Sequence, residues 1–414
     1  MKMLRIQTCL ALLLWVVASA GATVVHVPGD YESIQEGVDA AVDGDTVLVA
    51  DGTYTGVGNY NIDFGGRTIV VMSENGPSVT IIDCGGGGRL DPQRGFHFHS
   101  GEGSSSVVWG FTIRNGYAYG SWPQSCGGGI YCEGSSPTLI GNVITENVAV
   151  SAGGGIGCRN SAPVIVGNTI VGNSTSWDGG GVYCDASSPF LAGNTMVGNT
   201  ADKGGAVFGS ESSSPTVVNS ILWANEAPTG QEIYLTGGST IDVTYTDVEG
   251  GNPGEGNIDA DPLFVLPEGN DFRLLWDSPC VDAGHPDSLD PDGTRRDMGA
   301  YYFNQNDFLT ICLTPDETIV APGGQLGVTY TIMNRWPQLE SFWLLTEAVL
   351  PLGGTFVLAG PSLYHAPAEA TVQIHVDHAV PLNAPLGVYQ YRSKIGIPPA
   401  TVYDKDKFRV AVAP

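Results

Sequence analysis

Positive charge is the first shortage. Seventeen lysines and arginines face 43 aspartates and glutamates, a formal net charge of −26. That balance repels nucleic acid and anionic membranes, and also acidic polysaccharides unless a divalent cation bridges them. A neutral glycan meets no such barrier. Long apolar runs are missing beyond the N-terminus, so no membrane span is expected. Strong helix formers are scarce, whereas glycine supplies 58 of 414 residues. Cysteine is too sparse, and odd in number once Cys9 is set aside, for the disulfide framework of a small secreted domain.

The N-terminus sets the compartment. Lys2 and Arg5 precede an apolar run, Leu10 to Val17, that is too short to cross a bilayer. Ala18-Ser19-Ala20 and Ala20-Gly21-Ala22 then offer small-residue cleavage patterns. Residues 1–22 read as a signal peptide cut after Ala20 or Ala22, and the mature chain as secreted, extracellular or displayed on a cell surface.

From Gly127 to Asn225 the chain repeats every 26 residues. Ile130, Ile156, Val182 and Phe208 form one column, and Cys132, Cys158 and Cys184 another, followed by Ser210. Pro137, Pro163, Pro189 and Pro215 mark one corner. Asn147, Asn173, Asn199 and Asn225 mark a second, and Asn142, Asn168 and Asn194 a third. A fixed period of this size denotes a solenoid. Short β-branched runs such as Thr138–Ile140 and Val164–Val166, split by Gly, Asn, Ser and Pro, make each unit one coil of a parallel β-helix. The hexapeptide period of left-handed β-helices is absent, so a right-handed one is expected.

Coils stack about 4.8 Å apart, which places equivalent residues directly above one another. Alternation turns the Ile and Cys columns inward and Tyr131 outward. Inward thiols act as small hydrophobes in a tight column. Side chains projecting in one direction cannot surround a metal ion. Cys84 and Cys126 are the better disulfide candidates, with Cys280 and Cys312 also to be placed. Corner asparagines suit amide ladders and left-handed bends.

The solenoid extends upstream. Val107–Ile113 matches Thr138–Ile144 at a spacing of 31, so that coil carries a loop. Ser33-Ile34-Gln35-Glu36 is a capping box, predicting a short helix over the open first coil. After Tyr302 the repeats stop, and seven strand-like runs between Pro and Gly turns predict an immunoglobulin- or fibronectin-like β-sandwich. The expected organisation is a leader at 1–22, a β-helix at 23–303 and a sandwich at 304–414, with Asn304–Asp307 as linker.

The opening Ile34–Ala41 with Gly44-Asp45-Thr46-Val47, the phrase Asn75-Gly76-Pro77, and Gly110–Gly116 together resemble the pectin-lyase-like superfamily of secreted β-helix proteins. Ser278–Gly284, Asp290–Asp292 and Asp297–Tyr301 resemble the closing segment of bacterial surface proteins of the choice-of-anchor Q type. The resemblance spans residues 24–303 and implies a fold that hosts lyases, hydrolases, esterases, epimerases and non-catalytic binders. Enzyme signatures fail: Gly52–Gly56 lacks the glutamate of pectin methylesterases, and neither Asp-Asp nor Gly-His-Gly occurs. No coil plainly shows the aspartate cluster of pectate lyases.

Four surface features remain. In Phe96-His97-Phe98-His99, inward phenylalanines turn both histidines outward, roughly 7 Å apart along the strand. With Arg94 beside them and Arg114 about one coil on, His97, His99 and Arg114 are acid–base candidates. Tyr131 and Tyr183, two coils or about 9.6 Å apart, flank Gly157 as a slot that Trp177 and Trp122, with Tyr117 and Tyr119, would rim for stacking on sugar rings. Glu133, Arg159, Asp185 and Glu211 form an outward column that reads as a register-setting charge ladder. Asp290, Asp292 and Asp297, in a segment resembling a calcium loop, are candidate Ca2+ ligands, which Arg295 and Arg296 could equally neutralise.

Two functions stay open. One is non-catalytic binding of a neutral polysaccharide or glycan through the β-helix flank. The other is a polysaccharide lyase or glycoside hydrolase working at His97, His99 and Arg114. A purely structural surface-layer role is the third alternative.

Overall fold

The structure is a computed structural model that describes residues 22–86, 92–397 and 401–413. The expected leader lies outside them but for Ala22. Residues 24–248 form a parallel β-solenoid of about eight turns, with sheets of nine, eight and six strands along its length. Antiparallel sheets follow. No helix among the described residues is long and apolar enough to cross a membrane.

The chain divides into two compact units. One comprises Met1–Leu191, Met196–Thr216 and Ala224–Asp242; the other comprises Ala192–Thr195, Val217–Trp223 and Val243–Pro414. In the first, Ile34–Ala40 is the expected helix. Ser33 caps it, accepting from Glu36 N while the Glu36 carboxylate accepts from Ser33 N. The helix lies on the first two strands, and a Cβ at Gly37 would stand 2.8 Å from Val27. Only glycine permits that approach.

The stacking is in register through the middle coils. Ile130 pairs with Ile156 and Cys132 with Cys158, which pairs with Cys184. All three thiols are buried and free, and so are Cys84, Cys126 and Cys280; Cys312 is free and partly buried. Burial pushes Cys158 up to about 12 and Cys132 and Cys184 well above the usual thiol range. Cys84 and Cys126, expected as disulfide candidates, are unbridged.

One coil departs from the period. Val182 pairs with Val207 and Tyr183 with Phe208, one residue short of 26. Phe208 therefore joins the outward tyrosines rather than the inward isoleucines. Gly209 rather than Ser210 follows the cysteines, and Ser210 rather than Glu211 pairs with Asp185. The loss falls between Thr200, still in register with Ser174, and Lys203, which pairs with Asp178. The residue is recovered at the next corner. There Glu211 and Ser212 both adopt left-handed backbone, where earlier coils spend one such residue at Gly134, Asn160 or Ala186. From Ser213 the old register returns, with Ser187 N donating to its hydroxyl.

The corners are held by side chains. Asn147, Asn173, Asn199 and Asn225 form a buried ladder in which each Nδ2 donates to the next Oδ1 at 2.8–2.9 Å. Each backbone N–H donates to the same oxygen. The ladder ends on buried Glu232, whose carboxylate accepts from Asn225 Nδ2 and N at 2.7 and 3.2 Å. A serine ladder, unread in the sequence, runs through Ser135, Ser161, Ser187, Ser213 and Ser239. It begins at buried Glu102, which accepts from Ser135 Oγ at 2.8 Å.

In the second unit, the hairpin Phe264–Leu266 and Asp271–Leu274 precedes a sandwich of three and five strands, eight among the described residues of 309–412. Arg273 bonds Asp271, Asp406 and the Leu313 carbonyl, joining hairpin to sandwich. Leu313, Val328, Phe342 and Tyr391 lie in the sandwich core.

Two measurements check these packings. Replacing Asn173 by Ala leaves the Ile144 carbonyl and two Asn147 donors unpaired in the interior; urea unfolding should register a loss of about 3 kcal/mol or more. Native Cys132, Cys158 and Cys184 should resist an aromatic disulfide reagent at pH 8 and react at once in denaturant. Rapid native labelling of these three would contradict the buried column.

Candidate functional site

Strand Phe96–Phe98 points both phenylalanines inward and His97 outward, as its alternation requires. The His97 and His99 rings come within 4.4 Å between centroids. His97 stacks on Tyr131, its neighbour one coil on, at 5.4 Å. Arg94 is buried over the other part of this group, 5.2 Å from the Tyr131 ring, and donates to the carbonyls of Gln124, Cys126 and Gly127. Burial, with Arg94 and His99 adding to it, pushes His97 down to about 3, so its imidazole is neutral. His97 Nε2 and Tyr131 OH are buried without a hydrogen-bond partner among the described residues. His99 faces Asp63 at 3.4 Å.

Arg114 is elsewhere. It lies on the eight-stranded sheet, whereas His97 belongs to the six-stranded one, and it pairs with Asp83 at 2.9 Å. One coil along the chain crosses three sheets, so proximity in sequence did not translate into a shared face.

The expected tyrosine slot is filled. Tyr131 and Tyr183 hold the outward positions on either side of Gly157, yet only 2% and 6% of their surface is accessible. A Cβ at Gly157 would meet Gly127 N at 2.8 Å and the Tyr131 ring at 3.0 Å. The cause is the glycine run ahead of each strand. Gly127, Gly153, Gly179 and Gly204 take left-handed backbone and fold the chain back over the outer face of the strand that follows. Cys126 and Ala152 thereby cover a continuous aromatic file in which Tyr183, Phe208 and Tyr234 stack at 5.4 and 5.7 Å. The repeated Gly-Gly-Gly was the available signal for this cover.

Trp122 and Trp177 stand outside it, 48% and 62% exposed. The extra residues of the long coil fall between Ala118, in register with Ala149, and Cys126, in register with Ala152. That loop carries Trp122, set edge-on to Tyr183 at 5.9 Å, while Tyr117 and Tyr119 stack beside its start. Arg159 bonds Glu133 at 2.8 Å and faces Asp185 at 3.4 Å, a charge ladder along the stack.

The three candidate calcium ligands are engaged by protein donors. Asp290 accepts from Asp297 N and faces Arg296 at 3.1 Å. Asp292 accepts from Thr294 and from Gln305 N. Asp297 accepts from Asp282 N and Phe303 N at 2.7 and 2.6 Å. Among the described residues no group of three or more His, Cys, Asp or Glu could hold a metal. The carboxylates pin the closing segment to itself instead.

A parallel solenoid whose polar columns line up coil by coil defines a class of protein before any name does. Residues 42–248, half of the chain, match the family described as right handed beta helix region. The chain belongs to that family, and a pectin-lyase-like fold is supported. Comparison with the curated proteins finds no match. Among solved structures, a Pseudomonas fluorescens alkylpurine DNA glycosylase, AlkC, bound to DNA containing an abasic site analog is similar at 11% identity and TM-score 0.20. It covers 27% of this chain, and this chain spans 32% of it. A Niemann-Pick type C2 protein from Japanese carpenter ant gives 9% identity, TM-score 0.22, and coverage of 26% and 94%. The sporulation control protein Spo0M from Bacillus subtilis gives 13%, 0.19, and coverage of 26% and 49%.

Burial pushes the Asp297 carboxyl up to about 7, against the two backbone bonds that lower it. Its folded value lies above the ordinary one near 3.9, so protonation favours the fold. That stabilisation is complete below about pH 4 and is lost as pH rises through 7. Thermal melts should fall between pH 5 and pH 8, and Asp297→Asn should flatten that slope.

Proposed function

We propose that the protein is a secreted or cell-surface β-helix protein that binds neutral glycan without transforming it. The observation that carries this reading is the exposure of Trp122 and Trp177 beside an aromatic file that is otherwise covered. Indole faces held in water suit stacking on the apolar faces of sugar rings. The acidic surface disfavours nucleic acid and uronate polymers and leaves neutral polysaccharide as the partner. On this reading Tyr183 supports Trp122 edge-on, and neither Tyr131 nor Tyr183 touches sugar. The resemblance of the closing segment to bacterial choice-of-anchor Q proteins supports the surface location. The leader at 1–22 and a sandwich module from residue 304 complete the proposed organisation.

A second reading has its own observation. The His97 and Tyr131 rings stack at 5.4 Å with Arg94 against the Tyr131 ring, and His97 Nε2 and Tyr131 OH are each unpartnered among the described residues. A neutral imidazole beside a phenol is a proton-transfer pair for a polysaccharide lyase or hydrolase.

A panel of neutral glycans separates the two. Retention that falls at least tenfold in Trp122→Ala and Trp177→Ala, with no new reducing or unsaturated ends, is the expected result. Product that forms with wild type and disappears in His97→Ala and His99→Ala would install the enzyme in its place.

A further inference from the structure

The sandwich holds a cavity of about 600 Å³ that the glycan reading does not use. It opens between the two edge strands, Thr355–Ala366 of the five-stranded sheet and Ala370–Ala379 of the three-stranded one. Phe356 and Leu358 line one side of the gap, and His378 and Ala379 the other. Its floor is made by buried Val320, Leu326, Val410 and Val412. No Asp, Glu, Lys or Arg is among the residues that line it.

We propose that this cavity is a binding site for a neutral, largely apolar molecule carrying a single hydroxyl group, of the long-chain alcohol or sterol kind. Three observations support that chemistry. The volume falls within the roughly 300–1,000 Å³ of small-molecule pockets, and apolar walls leave water without partners there. The buried polar cluster on its wall is uncharged. His378 Nε2 lies 2.7 Å from Tyr391 OH, which bonds Tyr330 OH, and Tyr330 continues to Thr346 at 3.2 Å and Thr346 to Ser393 at 2.8 Å. Burial lowers the His378 pKa; Nε2 is taken by Tyr391 OH and, at 3.3 Å, Tyr330 OH, which leaves Nδ1 of a neutral imidazole for one further hydroxyl. A buried carboxylate or ammonium would find no counter-charge at this wall.

The third observation is the mouth. Leu352 and Leu382, on the loops that flank it, are 95% and 86% exposed, and Leu386 is exposed beside them. These loops adjoin, since a Cβ at Gly387 would stand 3.0 Å from Pro351. An apolar rim around an apolar interior gives a water-averse ligand a continuous path inward.

The test uses the full chain and the fluorescence of N-phenyl-1-naphthylamine, which brightens in apolar surroundings. Saturable 1:1 binding, displaced by 1-dodecanol or by a cyclodextrin-delivered sterol, is expected; the arm that displaces identifies a linear or a fused-ring skeleton. Dodecanoate should displace at least tenfold more weakly, and equal displacement would overturn the neutral head group. Ala384→Trp, which fills the cavity from its lining, should cut probe affinity at least tenfold while the melting temperature holds. Unchanged binding in that variant, or no saturable binding in wild type, would overturn the site. His378→Phe should weaken 1-dodecanol about fivefold and leave 1-chlorododecane unaffected. Equal effects on both would remove the proposed hydrogen bond.

Discussion

Vertical registry of hydrogen-bonding groups is the constraint from which the solenoid follows. Each coil has corners where the backbone turns and can no longer pair strand to strand, and those corners are buried. Polar backbone left there without partners would cost several hydrogen bonds per turn. The asparagine and serine ladders meet that demand, because each side chain serves its own coil and the next. The 26-residue period is therefore less a property of the strands than of the corners. Where the count fails by one, the strand shifts and the corner after it takes the residue back, so Phe208 changes face whereas Asn199 and Asn225 remain stacked.

That ordering explains what could be read from residues alone. The period, the inward cysteines, the amide ladder and the capping helix all depend on local pattern, and each was legible. The exchange of Phe208 and Val207 was not, because a column judged by spacing assumes no residue is lost between Thr200 and Lys203. The hydrophobic alternative at 207 was there, yet valine and phenylalanine suit either face of a strand. Seven strand-like runs were expected in the sandwich and eight strands are found among the described residues, and which edges part to leave a cavity depends on sheet pairing that no local pattern records.

The candidate site was less legible for a related reason. Alternation sorts side chains into inward and outward, but outward does not mean solvent. The glycines at 127, 153, 179 and 204 fold the chain across the outer face, converting an expected aromatic slot into a second, smaller core. Arg94 fastens the same segment by three carbonyls. Trp122 stays exposed because the loop of the long coil carries it clear of that cover. Arg114 illustrates a different limit: the distance travelled along one coil is large enough to change sheets.

The carboxylate at the foot of the asparagine ladder carries one more implication. An amide both gives and receives, so a column of amides could in principle grow by duplication of coils without end. Glu232 only receives. It closes the column on the donor side, and where the next asparagine of the period would stand the sequence has Gly251. An asparagine stacked beyond Glu232 would set its own oxygen against that carboxylate, an acceptor facing an acceptor, unless the glutamate were replaced as well. One side chain thus acts as the terminator of the amide column, on the side where its last donors would otherwise stand unmet.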